Sequence, residues 1–390
     1  MKVLHLGKYF PPYTGGMETY LRDAMTSLSR QGIENIALVH QSETGFKSSS
    51  ENYDRAGQHL AITRAAVWIR LLFTPISPTF PCLLNRLLKR HHPDILHIHM
   101  PNASAFWALL LPRARSIPWV IQWQADVLAS KHSWGLRLFY ALYRPFERAM
   151  LKRAVEIIVA SPPYLESSMA LRDFSAKCVV IPLGLDPSNF PSPAARDSSG
   201  SARQAAAVDL QVLAVGRLTY YKGFDYLIRA VAEIDGVVLR LIGTGDEEAT
   251  LKTLVHELGA SSKIIFHGHV ADDELAQQFE RCDCVCLPSI ERTEAFGLVL
   301  LEAMYFGKAT IVSDVPGSGM GWIVDDGLTG IKTAPANIEE LTTALLFFRD
   351  NRDKIAAFGK NGKSKFDRLF HIDQSTTGTA ELYSRLLKAI

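Results

Sequence analysis

SIERTEAFGLVLLEAMYFG, residues 289–307, decides how the rest of the chain is read. Glu294 stands in a loop just before Phe296 and Gly297, and Leu298 to Phe306 reads as a short helix of apolar and small residues. Glu302 lies inside that helix, eight positions after Glu294. A glycine at a helix start lets the chain turn tightly and lets a ligand approach the backbone. The unpaired N–H groups of the first helical turn then favour an anion such as phosphate. The stretch thus offers a carboxylate beside a helix tip, bare N–H groups at the tip, and a second carboxylate further in. That suits a ligand with hydroxyls at both ends and charge in its middle, a sugar–diphosphate–nucleoside. The competing reading is a strand–loop–helix unit whose two glutamates face solvent, and the flanking chain has to choose between them.

Both sides of the stretch alternate strand and helix. Downstream of Leu210, Val212–Val215 is a strand ending in GRLTYYKG, which holds Arg217 and Lys222. Phe224–Ile234 reads as a helix, Val237–Gly243 as a strand ending in GTGDEE, Lys263–His267 as a strand ending in GHV, and Cys284–Pro288 as the strand entering the opening motif. Upstream, Met1–Gly7 is a buried first strand, followed by a loop with Gly15 and Gly16, a helix over Glu18–Gln31 and a strand over Glu34–His40. Ser42–Leu60, polar and serine-rich, is expected to be a surface loop. Strands follow at Asp94–His99, Trp119–Trp123, Val155–Ala160 and Val179–Pro182. The fold class is α/β, with two Rossmann-like, doubly wound halves facing across a cleft that would hold the ligand. The first domain is placed at 1–190, a Pro-, Ser- and Ala-rich linker at 191–207 and the second domain at 208–369; a C-terminal helix over about 370–390 is free to return to the first.

Composition fits this picture. The chain has 390 residues, too many for one core, with 47% hydrophobic and 21% charged residues. Its formal net charge of +2 gives no reason to expect nucleic acid. No run approaches the length of a spanning helix and no signal peptide is read at the N-terminus, so the expected home is the cytoplasm. Cys282, Cys284 and Cys286 alternate, but on a strand the outer two would be ~13 Å apart, too far to share one metal ion. His97 and His99 share one strand face with no third ligand in sight. The segment Lys131–Arg153 carries six basic residues against one acid, Glu147, with aromatic residues interleaved. It reads either as a helix with its aromatics in the core or as one able to lie on an anionic membrane surface, the inner face of the cytoplasmic membrane.

Arg217 and Lys222 are five apart at a strand end, where a guanidinium and an ammonium can both reach a diphosphate. When a nucleotide sugar gives up its sugar, charge grows on the leaving phosphate oxygens, and cations with a helix N-terminus aimed at them are an effective catalyst.

GRLTYYKG, GTGDEE, FHGHV and above all EAFGLVLLEAMYFGK resemble the retaining glycosyltransferases of family 4, which have the GT-B fold; the Gly15-Gly16 loop and IPLGLD (Ile181–Asp186) resemble that family's first half. The resemblance implies that Gly16, with Gly15 beside it, approaches the donor phosphates and that Arg217 and Lys222 neutralise them. It implies that Glu294 and the backbone of Phe296, Gly297 and Leu298 hold the donor sugar, Glu302 the ribose hydroxyls, and that Val270 sits beside the base. It further implies no metal, no cofactor, and retention through attack on the face from which the phosphate leaves. One departure is Gln124, where family members commonly have a histidine; glutamine can hydrogen-bond a hydroxyl but cannot take up a proton near neutral pH. Either positioning suffices, or Asp126 shares the role, or activity is weak, and the first is preferred.

SIERTEAFGLVLLEAM followed by DVPGSGMGWIVDDGLTG is similar to bacterial enzymes that build O-antigen and exopolysaccharide chains, many of them mannosyltransferases. The expected donor is therefore GDP-mannose, ahead of a UDP-sugar, and the expected acceptor a glycan or a polyprenyl-diphosphate-linked oligosaccharide. Three other readings remain: a nucleotide-sugar epimerase, a non-catalytic carbohydrate-binding subunit, and a dinucleotide oxidoreductase. The last is weakened because Gly243-Thr244-Gly245 lacks a third glycine at Glu248.

Overall fold

Strand β1 (Lys2–Leu6) begins a run of parallel strands built on short β-branched and leucine-rich segments, the pattern of strands covered on both faces. A computed structural model describes residues 1–13, 15–71, 74–127, 134–190 and 209–388, and the side chains of 134–137 are not among what it describes. Contacts divide the chain into two units, Met1–Gly184 with Ile372–Ile390, and Leu185–His371. The division falls after Gly184 rather than at residue 190, and the final helix, Ile372–Lys388, belongs with the first unit. The linker read at 191–207 lies outside the described residues.

In the first unit β1 is followed by β2 (Glu34–Thr44), β3 (Ser49–Arg55), β4 (Gln58–Val67), the small hairpin of β5 (Ile69–Leu71) and β6 (Thr74–Ile76), β7 (Ile95–Met100), β8 (Trp119–Trp123), β9 (Glu156–Val159) and β10 (Cys178–Val180). Its sheet runs β10-β9-β8-β7-β1-β2-β4-β3, parallel except for the antiparallel edge pair β3–β4. The surface loop expected over Ser42–Leu60 is therefore wrong: that segment finishes β2, forms all of β3 and starts β4. An edge strand of SSENYDR faces water along most of its length, so it carries no apolar alternation to announce it.

One face of the central strands is unexpectedly polar. Register places His5 beside His97, and His99 beside Gln122. His5 Nδ1 lies 3.2 Å from His99 Nε2, His5 Nε2 lies 2.9 Å from Asn35 Oδ1, and His97 Nδ1 pairs with the Tyr383 hydroxyl of the final helix. The expectation that His97 and His99 have no third histidine nearby is thus overturned by His5, which arrives from β1. Burial holds all three imidazoles neutral, taking His5 down to about 4 and His97 and His99 well below their ordinary value. The three imidazoles lie together beneath the final helix, with His97 Nε2 and His99 Nδ1 buried and, among the described residues, without a hydrogen-bond partner.

The second unit holds β11 (Leu210–Val215), β12 (Val237–Ile242), β13 (Ile264–Gly268), β14 (Cys284–Leu287), β15 (Ala309–Ser313) and β16 (Gly330–Thr333). They form one wholly parallel sheet in the order β13-β12-β11-β14-β15-β16. The glycine-containing turn over Asp325–Thr329 delivers β16 parallel to β15. Cys284 and Cys286 are buried in this unit's core, and Cys282 ends a helix before β14, its thiol pushed up to about 12 chiefly by burial. Strand order reverses between β11 and β14, and in an open parallel sheet that switch point, at the carboxyl ends, is where ligands bind.

Candidate active site

The loops that leave β11 and β14 meet at this switch point. After β11 the chain runs Gly216-Arg217-Leu218-Thr219, makes one 3-10 turn over Tyr220–Lys222, and passes through Gly223 into the helix Phe224–Ala232. Gly223 has φ +64°, and a Cβ there would stand 2.3 Å from the Pro288 carbonyl oxygen that follows β14. Only glycine lets the two loops approach so closely. Ile290 N–H then donates to the Tyr221 carbonyl at 2.8 Å, and the Tyr220 hydroxyl donates to Glu291 at 2.8 Å, tying one loop to the other.

This stitching brings Lys222 and Glu294 together. Lys222 Nζ and Glu294 Oε2 are 2.5 Å apart, with side-chain exposures of 11% and 14%. The Lys222 ammonium also lies over Gly216, where a Cβ would sit 3.1 Å from Nζ. The loop bearing Glu294 is pinned from behind: Ser318 Oγ donates to the Glu294 carbonyl, and Gly319 N–H to the Ala295 carbonyl at 2.8 Å. Gly297, in a left-handed conformation, opens the helix Leu298–Tyr305, whose N-terminus no side chain caps. Its first N–H groups are therefore available to an anion. Glu302 sits within this helix; burial first, then the charge of Asp272, pushes its carboxyl up to about 8, against the opposing pull of Lys222. Arg217 is exposed; its carbonyl accepts from Thr219 N–H at 2.9 Å, which leaves its guanidinium to face solvent. Phe296 is buried, and Val270 follows β13 half-exposed.

The glycine pair after β12 has a packing role. A Cβ at Gly243 would stand 2.0 Å from the Gly216 carbonyl oxygen, and one at Gly245 2.2 Å from that of Leu218. Both glycines let backbone lie on backbone beneath the β11 loop, an account that needs no dinucleotide.

The other predicted residues belong to the first unit. Gly15 precedes the helix Gly16–Arg30 with extended backbone, and Gly16 is its exposed first residue. A Cβ on Gly15 would stand 2.3 Å from Oε2 of Glu18, a buried carboxylate at this helix N-terminus that the sequence reading passed over. Gln124 N–H donates to the Met100 carbonyl at 3.1 Å, holding it at the end of β8. Asp126 is engaged structurally: its Oδ1 accepts from Trp123 Nε1 at 2.8 Å and Ser168 Oγ at 2.7 Å. Two donors on one carboxylate oxygen make Asp126 a brace for the strand end. Also missed was Glu147, whose only sequence signal is being the lone acid of a basic segment. It is buried beside Tyr140, and burial with the Asp126 charge pushes its carboxyl up to about 7.

Residues 14–189 match the model of Glycosyltransferase Family 4, and residues 202–365 that of Glycosyl transferases group 1. The chain is 27% identical to the O-antigen chain mannosyltransferase C of Escherichia coli, over 100% of both chains. It is 26% identical to a GDP-mannose-dependent alpha-(1-6)-phosphatidylinositol monomannoside mannosyltransferase of Mycobacterium tuberculosis, covering 93% of this chain and 92% of that one. Among solved structures it is similar to sucrose-phosphate synthase from Thermosynechococcus elongatus, with a TM-score of 0.80 and 21% identity over 100% of both chains. The chain belongs to the GT-B glycosyltransferases, with a glycosyltransferase family 4 domain followed by a group 1 domain.

Proposed function

We propose that this glycosyltransferase moves mannose from GDP-mannose, with retention of anomeric configuration, to a glycan or polyprenyl-diphosphate-linked acceptor in cell-surface polysaccharide synthesis. The observation that carries the reading is the Lys222–Glu294 pair at the β11/β14 switch point, a cation and a carboxylate fixed beside an uncapped helix N-terminus. Full-length similarity to an enzyme named as an O-antigen mannosyltransferase, and to one named as GDP-mannose-dependent, favours mannose and guanine over other donors.

In the proposed reaction the acceptor hydroxyl attacks the anomeric carbon on the face from which the diphosphate departs. The bond from that carbon to the phosphate oxygen breaks, and the hydroxyl proton passes to the leaving oxygen. Lys222, Arg217 and the helix tip stabilise the charge that accumulates there, the work a divalent metal does in other phosphate chemistry. Glu294 and the backbone of Phe296 to Leu298 hold the sugar hydroxyls, and Glu302 the ribose, with Val270 beside the base. Gly15 and Gly16 adjoin the phosphates, and Gln124 positions an acceptor hydroxyl without exchanging a proton. The protein works at the inner face of the cytoplasmic membrane, where a lipid-linked acceptor is presented.

A thermal-shift panel of GDP-, UDP-, ADP- and dTDP-sugars tests the donor, because a ligand that binds only the native state raises the melting temperature. GDP-mannose should give the largest shift, and transfer should persist in excess chelator with the product keeping the donor's anomeric configuration by NMR. A larger shift with a UDP-sugar would overturn the donor, and full activity of Glu294→Ala would overturn the site.

A further inference from the structure

We propose that the outer face of the helix Trp134–Arg153 is a docking surface for an anionic lipid bilayer. The inference deepens the reading of a lipid-linked acceptor. Residues four apart on a helix stand one above the other, and four such lines run along this one. The inward line, with Tyr143, Glu147, Met150 and Leu151, is buried in the first unit. On the outward side Leu138, Leu142 and Phe146 are 55%, 66% and 52% exposed. Across the intervening line of Ala141 and Pro145, on the other flank of the same exposed face, run exposed Arg144, Arg148 and Lys152, of which Arg148 is paired with exposed Asp173 at 2.7 Å.

The apolar line does not end at the helix. Phe106 stacks on Phe146 at 5.4 Å between ring centroids, and the same 3-10 segment, Ala103–Leu109, brings up exposed Trp107 and, just after it, Leu110, 69% exposed. A helix on a soluble surface puts polar residues on its outer face; a contiguous apolar patch there marks an interaction site.

Charge selects the occupant. Every charged residue on the exposed sides of the segment Leu138–Arg153 is basic, and the one acid, Glu147, is turned inward. An exposed face with an apolar line on one flank and Arg144 and Lys152 on the other matches the acyl boundary and headgroups of an anionic membrane. Pro145 fits the same orientation: it lies in the exposed face, where the Ala141 carbonyl that it leaves without an amide partner can reach water or headgroups. No helix among the described residues is long and apolar enough to cross a membrane, so the contact is superficial. The helix begins at the carboxyl edge of the sheet, because it follows β8, so Leu138 and Leu142 lie toward the same end as Gln124.

The test is co-sedimentation with vesicles of phosphatidylcholine alone or mixed with phosphatidylglycerol, a measurement that needs no turnover. The intact chain should sediment with the anionic vesicles and stay in solution with the neutral ones, and high salt should release it. Leu138→Ser with Leu142→Ser should weaken binding about tenfold. Arg144→Gln with Lys152→Gln should weaken it about 25-fold, roughly five-fold per charge. Both double variants should keep the parent melting temperature and full transfer to a water-soluble acceptor. An intact chain that ignores anionic vesicles, or leucine variants that bind as the parent does, would overturn the proposal. Vesicle binding by a chain that shows no donor turnover would leave this surface standing and remove the proposed function instead.

Discussion

Replacing Lys222 by methionine keeps the length of the side chain and removes its charge, and the structure says what that does. Glu294 Oε2 is 2.5 Å from the ammonium and its side chain is 14% exposed, so the carboxylate loses its partner while still largely out of water. Deleting one member of a fully buried ion pair costs about 3–5 kcal/mol; the residual exposure of both groups here reduces that to roughly 2–3 kcal/mol. For a folding unit of this size that is a fall of about 4–12 °C in melting temperature. Transfer should fall about 10²–10³-fold, the usual effect of removing one group that stabilises charge in the transition state. The cycle is completed with Glu294→Gln and with the double variant. If the loss of stability comes from a stranded carboxylate, the double variant should be more stable than Lys222→Met alone, while remaining inactive. Urea unfolding followed by circular dichroism, beside a donor-turnover assay, reads both quantities. A Lys222→Met protein as stable as the parent, or a double variant less stable than both singles, would refute the reasoning.

Glu302 takes up a proton in the fold more readily than in the unfolded chain, its carboxyl standing at about 8, so its burial favours the native state less as pH rises from about 4.5 to about 8. Glu302→Gln should flatten that decline, worth up to a few kcal/mol at ~1.4 kcal/mol per pH unit, in unfolding curves taken at successive pH values, and should weaken GDP binding in calorimetry. The buried histidines act in the opposite direction. His5 and His40 are held at about 4, so their contribution is level above pH ~6.5 and drops as pH falls from there toward 4, by up to about 3 kcal/mol for each, against the opposite trend of the raised carboxyls of Glu302 and Glu147; a Glu302→Gln, Glu147→Gln protein whose melting temperature is unchanged between pH 7.5 and pH 5 would contradict it. Gly223→Ala meets both a positive φ and the Pro288 carbonyl, and should lower stability by at least about 2 kcal/mol and disable transfer, since Lys222 is carried by the displaced turn.

Much of the fold was legible because buried parallel strands are short, apolar and bounded by glycine-rich turns, as at Val212–Val215 before Gly216 and Cys284–Pro288 before Ser289. The helix Leu298–Tyr305 was legible from Gly297 and the apolar run behind it. β3 was not, because an exposed edge strand has nothing apolar to alternate. His5 escaped notice as a companion of His97 and His99 because their meeting depends on β1 lying beside β7, which no local pattern announces. The pairing of Lys222 with Glu294 has the same origin: the two residues are 72 positions apart and meet only because β11 adjoins β14. Glu18 and Glu147 read as ordinary helical acids, and burial alone distinguishes them.

The return of Ile372–Lys388 to the first unit has a consequence for synthesis on the ribosome. Leu382, Tyr383 and Leu386 cover Val3, Leu28, Ile95, Val120 and Ile158, yet they are made after the whole of the second unit. At ~5–20 residues per second the strands of the first unit wait about 10–80 s for the helix that covers them, β1 the longest. During that interval an apolar sheet face, and the imidazoles of His97 and His99, stand open in the nascent chain. Chaperone demand should therefore track the first unit. A stop codon near residue 370 should spare the folding of the second unit while leaving the first, the earlier made of the two, the one that aggregates.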